Sequence, residues 1–219
     1  VLLLALLASA PAVAEPCDEA KLKFLARELM DEAGRARSWS LAWANIYGVA
    51  TVGQLAPIPL IIRQDQVEWW VGAATSAAGL AFVAMETPSV VEEGPRFGAR
   101  ATSATRDTCA LIEEGERLLS RGAQQQAASR RWTMHAANVL VNVGFGLILG
   151  VGYDHWVAAA VNFAIGAVFG EVTLFTLPSR LISAWAEYQR GGLEPAPVSF
   201  QLVPLLRPDG AGLGLAGTF

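Results

Sequence analysis

Few side chains in this 219-residue chain combine reactive chemistry with an unusual setting. They are Glu86 and Glu171, each inside an otherwise uncharged run, the two histidines His135 and His155, and the two cysteines Cys17 and Cys109. A carboxylate surrounded by apolar residues is costly to keep charged, so it is protonated, paired or placed where it reaches water, and inside a membrane it marks a functional site by default. Glu86 lies close to the charged Glu92 and reads as interfacial. Glu171 is open to both readings. A continuous helix from Trp132 to Tyr153 would hold His135 and His155 roughly 30 Å apart, too far to share a metal ion. Asp154-His155 then reads as a solvated connection, and neither a metal nor a cofactor is expected. The sequence contains no P-loop, no G-x-S-x-G, no G-x-G-x-x-G and no zinc spacing, so no catalytic residues are assigned and a non-enzymatic role is expected.

Each cysteine opens an amphipathic segment. A Cys17–Cys109 disulfide is the economical pairing for an exported protein in an oxidising compartment. Export itself is read from the apolar run Val1–Leu7 and the small-residue site that ends at Ala14, which together resemble a signal peptide over 1–14, with the mature chain starting near Glu15.

The elements that must position these groups are set by an apolar composition: 53% hydrophobic and 16% charged residues place the chain in the membrane class. With a net charge of -4 and no basic run, nucleic acid is not an expected partner. From 16 to 37, Leu22, Leu25, Leu29 and Ala33 recur at helical spacing among charged residues and predict an amphipathic helix. Ser40 to Ile62 follows as a 23-residue uncharged run that Pro57 and Pro59 must kink or end. After the polar break 63–68, Trp69 to Val91 is a second candidate span. A polar stretch from 92 to 131 contains a second amphipathic helix, with 92–108 read as linker and Leu111, Gly115, Leu118, Leu119 and Gly122 on one side. Trp132–Tyr153 and Trp156–Ser179 are two further candidate spans. Leu181–Arg190 reads as a short interfacial helix and 191–197 as a linker.

The two halves match in order. At a shift of 93, Trp39, Ala44, Asn45 and Gly53 meet Trp132, Ala137, Asn138 and Gly146; at a shift of 87, Trp69, Ala77, Gly79 and Phe82 meet Trp156, Ala164, Gly166 and Phe169. This predicts an all-α membrane protein of two tandem repeats, 15–91 and 109–190, each an amphipathic helix plus a hydrophobic hairpin. An even number of spans per unit makes the copies parallel in topology. Trp39, Trp69, Trp132 and Trp156 stand at span starts and are expected in two interfacial belts. Asn142, Gly146 and Gly150 on one span, and Asn162, Gly166 and Gly170 on the next, recur every fourth residue and predict close helix packing. Asn45 and Asn138 are expected to coincide and to face the neighbouring hairpin.

Beyond residue 197 two extended runs flank Arg207-Pro208-Asp209-Gly210, which predicts a terminal β-hairpin over 198–219. Its last strand, Leu213, Leu215, Gly217 and Phe219, resembles the closing-strand signal of bacterial outer-membrane β-barrel proteins over at most nine residues. Gly217 departs from that signal and no further barrel strands precede it, so a barrel is not implied. The resemblance implies targeting, with a plain capping hairpin as the other reading.

Three functional classes follow. The leading one is a non-enzymatic protein of the bacterial cell envelope, in contact with membrane lipid and with a second copy or an envelope protein as partner. The alternative is an oligomeric pore or small-solute carrier lined by Asn142, Asn162 and Glu171. The third is an enzyme acting on lipid at the membrane surface. The hairpin turns hold one of the 16 Lys and Arg, which inverts the positive-inside pattern for an exported N-terminus and leaves inner or outer membrane open.

Overall fold

The computed structural model describes residues 17–103, 107–193, 199–207 and 210–218. The proposed signal segment 1–14, the residues 208–209 of the terminal turn and Phe219 lie outside them. Up to residue 193 the described residues form helices and turns, with no strand among them. Helix α1 (Glu19–Leu55) starts at Asp18, whose carboxylate accepts the Ala20 N–H at 2.8 Å, and runs uninterrupted for 37 residues, about 55 Å. The amphipathic segment and the first candidate span are therefore one helix. Arg35-Ala36-Arg37 is polar, but these are good helix formers and contain no breaker. Pro57 supplies the stop, and a 3-10 turn (Ile58–Leu60) carries the chain into α2 (Gln66–Glu86).

Thr87-Pro88 ends α2 several residues short of Val91, because the residue before proline is pushed out of the helical region. The segment read as linker instead folds as α3 (Val90–Ala101). Its apolar positions face α1, and Gly94 brings the two backbones together: a Cβ there would lie 2.5 Å from the Leu29 carbonyl oxygen. Helix α4 (Thr108–Ser129) repeats the α1 start, with Asp107 accepting the Cys109 N–H at 2.9 Å. Then come α5 (Trp132–Tyr153), closed by Asp154 in the left-handed conformation, α6 (Trp156–Phe175) and α7 (Arg180–Gln189). Strands β1 (Ser199–Arg207) and β2 (Gly210–Thr218) pair antiparallel, from Ser199 opposite Thr218 to Arg207 opposite Gly210.

Helix α1 divides the molecule lengthwise. Its first half packs with α3, α4 and α7 around Phe24, Leu25, Leu29, Phe97, Leu119 and Leu181, a core of the soluble kind with charged outer surfaces. Gly115 fits against Phe97 and Leu25, and Gly122 against Leu181. Cys17 and Cys109 are joined by a disulfide at the far end of this bundle, with Cα atoms 5.2 Å apart. The second half of α1 packs with α2, and α5 packs with α6, as two antiparallel hairpins side by side.

This second half of the molecule is membrane-embedded. Three helical stretches, Gln66–Ala101, Trp132–Tyr153 and Trp156–Gln189, contain windows of mean hydropathy 1.2, 1.6 and 1.7 that are long and apolar enough to cross a bilayer. Their outward side chains are apolar and exposed, among them Leu140, Leu147, Val151, Val168 and Phe175. In water such a surface would be a large penalty; against lipid it is the appropriate solvent-facing side. The apolar half of α1 is not among these stretches, since Asn45, Gln54 and its tryptophans lower its hydropathy.

Candidate functional site

Between the two hairpins lies a cavity of about 910 Å³. Tyr47, Ala50 and Gln54 of α1, Thr75, Ser76 and Phe82 of α2, Asn138, Val141 and Asn142 of α5, and Asn162, Ile165, Gly166 and Phe169 of α6 contribute to its wall. Small residues on facing helix sides create the space.

A polar ladder runs down the α5–α6 side. His135, Asn138 and Asn142 lie on one face of α5 because three- and four-residue steps bring side chains above one another. Glu171 of α6 accepts from Asn138 Nδ2 at 2.9 Å and lies 2.6 Å from His135 Nδ1. Asn138 Nδ2 also donates to the Ala167 carbonyl at 3.0 Å. Asn142 Nδ2 donates to the carbonyl and side-chain oxygens of Asn138 at 2.9 and 3.0 Å. Those two acceptors fix the amide's orientation, and its other atom, Oδ1, is buried with no hydrogen-bond partner. Glycine makes this closeness possible: a Cβ at Gly166 would collide with Asn142 Oδ1, and one at Gly170 with Asn138 Oδ1. Gly150 similarly admits the Trp156 ring, and Gly146 faces Ala159 and Phe163. Asn142, Gly146, Gly150, Gly166 and Gly170 lie where α5 and α6 meet, whereas Asn162 bonds Thr75 of α2, and both asparagines border the cavity.

The hairpins are tied together at three levels. Farthest from the bundle, Glu68 Oε1 lies 2.5 Å from His155 Nδ1. Midway, Thr75 Oγ1 donates to Asn162 Oδ1 at 3.2 Å. Nearest the bundle, the Tyr47 hydroxyl meets Thr173 Oγ1 at 2.9 Å, and the indole N–H groups of Trp39 and Trp43 both donate to Thr176 Oγ1, at 3.2 and 3.0 Å.

Two expectations are corrected by these contacts. Trp39 is 2% exposed and belongs to the core between hairpins, whereas Trp132 is 76% exposed; only Trp132, Trp69 and Trp156 are placed at the surface as belt residues would be. Continuity of α1 explains this, since Trp39 sits mid-helix under α6 instead of at an entry point. Asn45 is exposed and bonds the Leu41 carbonyl of its own helix at 2.7 Å, so it does not take the place of Asn138. Glu86 ends α2 and accepts from Ser129 Oγ at the close of α4.

Sequence reading missed the junction between bundle and hairpins. Glu32 of α1, 0% exposed, accepts the Arg180 backbone N–H at 3.2 Å, Arg35 Nε at 2.7 Å and the Gln126 side-chain amide. Gln126 Oε1 accepts the Leu181 N–H at 3.0 Å. Ser179 does not cap α7 through its side chain, and the first two amides of α7 are capped instead from α1 and α4. The Arg180 guanidinium reaches Glu28 Oε2 at 2.9 Å and Glu187 Oε2 at 3.0 Å. Burial alone would lower its pKa, and the two carboxylates reverse that and raise it. Burial lowers the pKa of Arg130, which bonds the Leu177 carbonyl, and Glu32 opposes the shift. The only signal in the sequence was that Glu28 and Glu32 fall on the apolar side of α1.

Among the described residues no group of three or more His, Cys, Asp or Glu side chains could hold a metal ion. The chain matches no protein-family model, and no curated protein or solved structure matches it.

Proposed function

We propose that this is an exported, non-enzymatic membrane protein of the bacterial cell envelope, in which two tandem units form a four-span body that holds a small membrane-dissolved molecule between its hairpins. The carrier reading is preferred to a purely structural one on a single observation, the cavity of about 910 Å³ between the hairpins. Ligand sites are typically clefts of this size, mostly apolar with a few fixed polar groups. The Cys17–Cys109 bridge supports an oxidising compartment for the bundle. The repeat is supported by pairing of equivalent positions: Thr75 with Asn162 and Glu68 with His155 are each separated by 87 residues, the same shift that aligns the second spans. Contacts between equivalents at two levels of parallel helices are what a two-fold axis along the membrane normal produces. Including the apolar half of α1 as the fourth span makes the two hairpins equivalent.

The test is native mass spectrometry of the purified protein with phenylnaphthylamine, a neutral apolar probe. Wild type is expected to retain it, and the Ala50→Phe/Ala78→Phe variant, which fills the cavity from α1 and α2, is expected to lose it. Absence of any adduct in wild type would sink the reading.

A further inference from the structure

We propose that the lipid-facing side of α1 is a contact surface for a second copy of this chain, in which the Asn45 amides of the two copies bond each other. This rests on the apolar half of α1 being the fourth span and is independent of what the cavity holds.

Three observations carry it. First, no exposed residue of α2, α5 or α6 has an amide or a charge, and between Trp39 and Leu55 of α1 Asn45 is the only exposed residue that does. It stands on the side of the helix opposite the buried Trp39, Trp43 and Tyr47. Asn45 Nδ2 gives one hydrogen to the Leu41 carbonyl of its own helix, which leaves its second hydrogen and Oδ1 unbonded. Hydrocarbon offers these groups nothing, so bonding them across a helix contact favours association. Second, Ser38, Leu41, Asn45, Gly48, Val52 and Leu55 follow alternating steps of three and four, the seam of paired helices, and none is charged. Leu41, Val52 and Leu55 are 55, 65 and 37% exposed, so the seam is left open by the copy that carries it. Third, a Cβ at Gly48 would meet nothing within 4 Å, so packing inside one copy does not require this glycine. Between copies it lets the two backbones approach beside Asn45. The amide also selects the occupant: two copies inserted with the same topology run α1 parallel, residue 45 meets residue 45, and each amide donates to and accepts from the other.

The experiment reconstitutes the full chain in phosphatidylethanolamine/phosphatidylglycerol vesicles and measures dimer dissociation by energy transfer between donor- and acceptor-labelled copies as lipid is added. Wild type is expected to form a dimer, and Asn45→Leu is expected to weaken it by about tenfold, the effect of an interhelical amide contact in a membrane. Gly48→Leu is expected to weaken it at least as much. Asn45 bonds only its own helix and Gly48 meets nothing, so both variants are expected to fold, and the wild-type measurement decides the matter if they do not. In the same vesicles, oxidation with copper phenanthroline is expected to crosslink Leu41→Cys and Val52→Cys as dimers, and not Leu147→Cys on α5 or Val168→Cys on α6. A monomeric wild type, a dimer that Asn45→Leu leaves unchanged, or crosslinking from α5 or α6 in place of α1 would overturn the contact. Labelling of Leu41→Cys by a water-soluble maleimide separates this from the reading on which it rests. Labelling as fast as that of Asp31→Cys would place this side of α1 in water and remove the fourth span together with the contact, whereas slow labelling without a dimer would remove the contact alone.

Discussion

Glu68 at the start of α2 and His155 at the start of α6 lie 2.5 Å apart in space and 87 residues apart in the chain. The contact joins the two hairpins beside the cavity, at the end farthest from the disulfide.

This tie is partly exposed, which screens it and limits its worth. In a double-mutant cycle with Glu68→Gln and His155→Gln, thermal stability in detergent is expected to show a coupling of about 0.5–1 kcal/mol. Strict additivity would show that the hairpins do not depend on each other there.

Glu32 is a stronger point of dependence. Glu32→Ala leaves the Arg180 N–H, the Arg35 guanidinium and the Gln126 amide without their acceptor, and a loss of about 3 kcal/mol is expected. Glu32→Gln retains an acceptor and should lose less. Chemical unfolding followed by circular dichroism measures both.

Reducing the Cys17–Cys109 bridge opens a 92-residue loop. In the chain-entropy model this destabilises the bundle by up to about 4–5 kcal/mol. The loss should appear as greater amide exchange in α4 and the start of α1 on addition of reductant, with α5 and α6 unchanged. Equal exchange in both redox states would count against the bridge as a stabilising element.

Tyr188 gives a pH signature. Its burial, followed by its hydrogen bond and proximity to Glu116, raises its phenol pKa above the ordinary 10.0. A raised folded-state pKa means the stabilisation is fully present below the unfolded value and is lost as pH rises from there through the folded value. The stability difference between wild type and Tyr188→Phe should thus be constant below about pH 10 and shift against wild type above it. A difference that does not change across that range would refute the assignment.

Packing of the α5–α6 hairpin can be tested at Gly170. Gly170→Leu drives a side chain into Asn138, and with it the bond to Glu171, so both thermal stability and dye binding should fall. Gly152→Ala, where a Cβ meets nothing, should be tolerated.

Properties written in local order were legible in the sequence. Trp132–Tyr153 was expected and found between those residues, because an uncharged run bounded by arginines and by Asp154 has one economical helical solution in an apolar medium. The disulfide was legible because two cysteines open matching segments. The membrane class followed from composition, since hydrophobicity is a sum over residues. What depended on distant partners was not legible. Nothing local separates Trp39 from Trp132; the first is buried because α1 continues straight through Arg35–Arg37 and brings it beneath Thr176, 137 residues away. Glu32 looks like any helical carboxylate until α4 and α7 fold over it and supply two of its three donors. Asn142 was recognisable as a packing residue, but its unsatisfied oxygen and the cavity beside it arise only when α2 and α6 meet. Helix formation is governed by neighbours a turn apart, whereas burial, polar satisfaction and empty space are properties of surfaces that the chain brings together only in three dimensions.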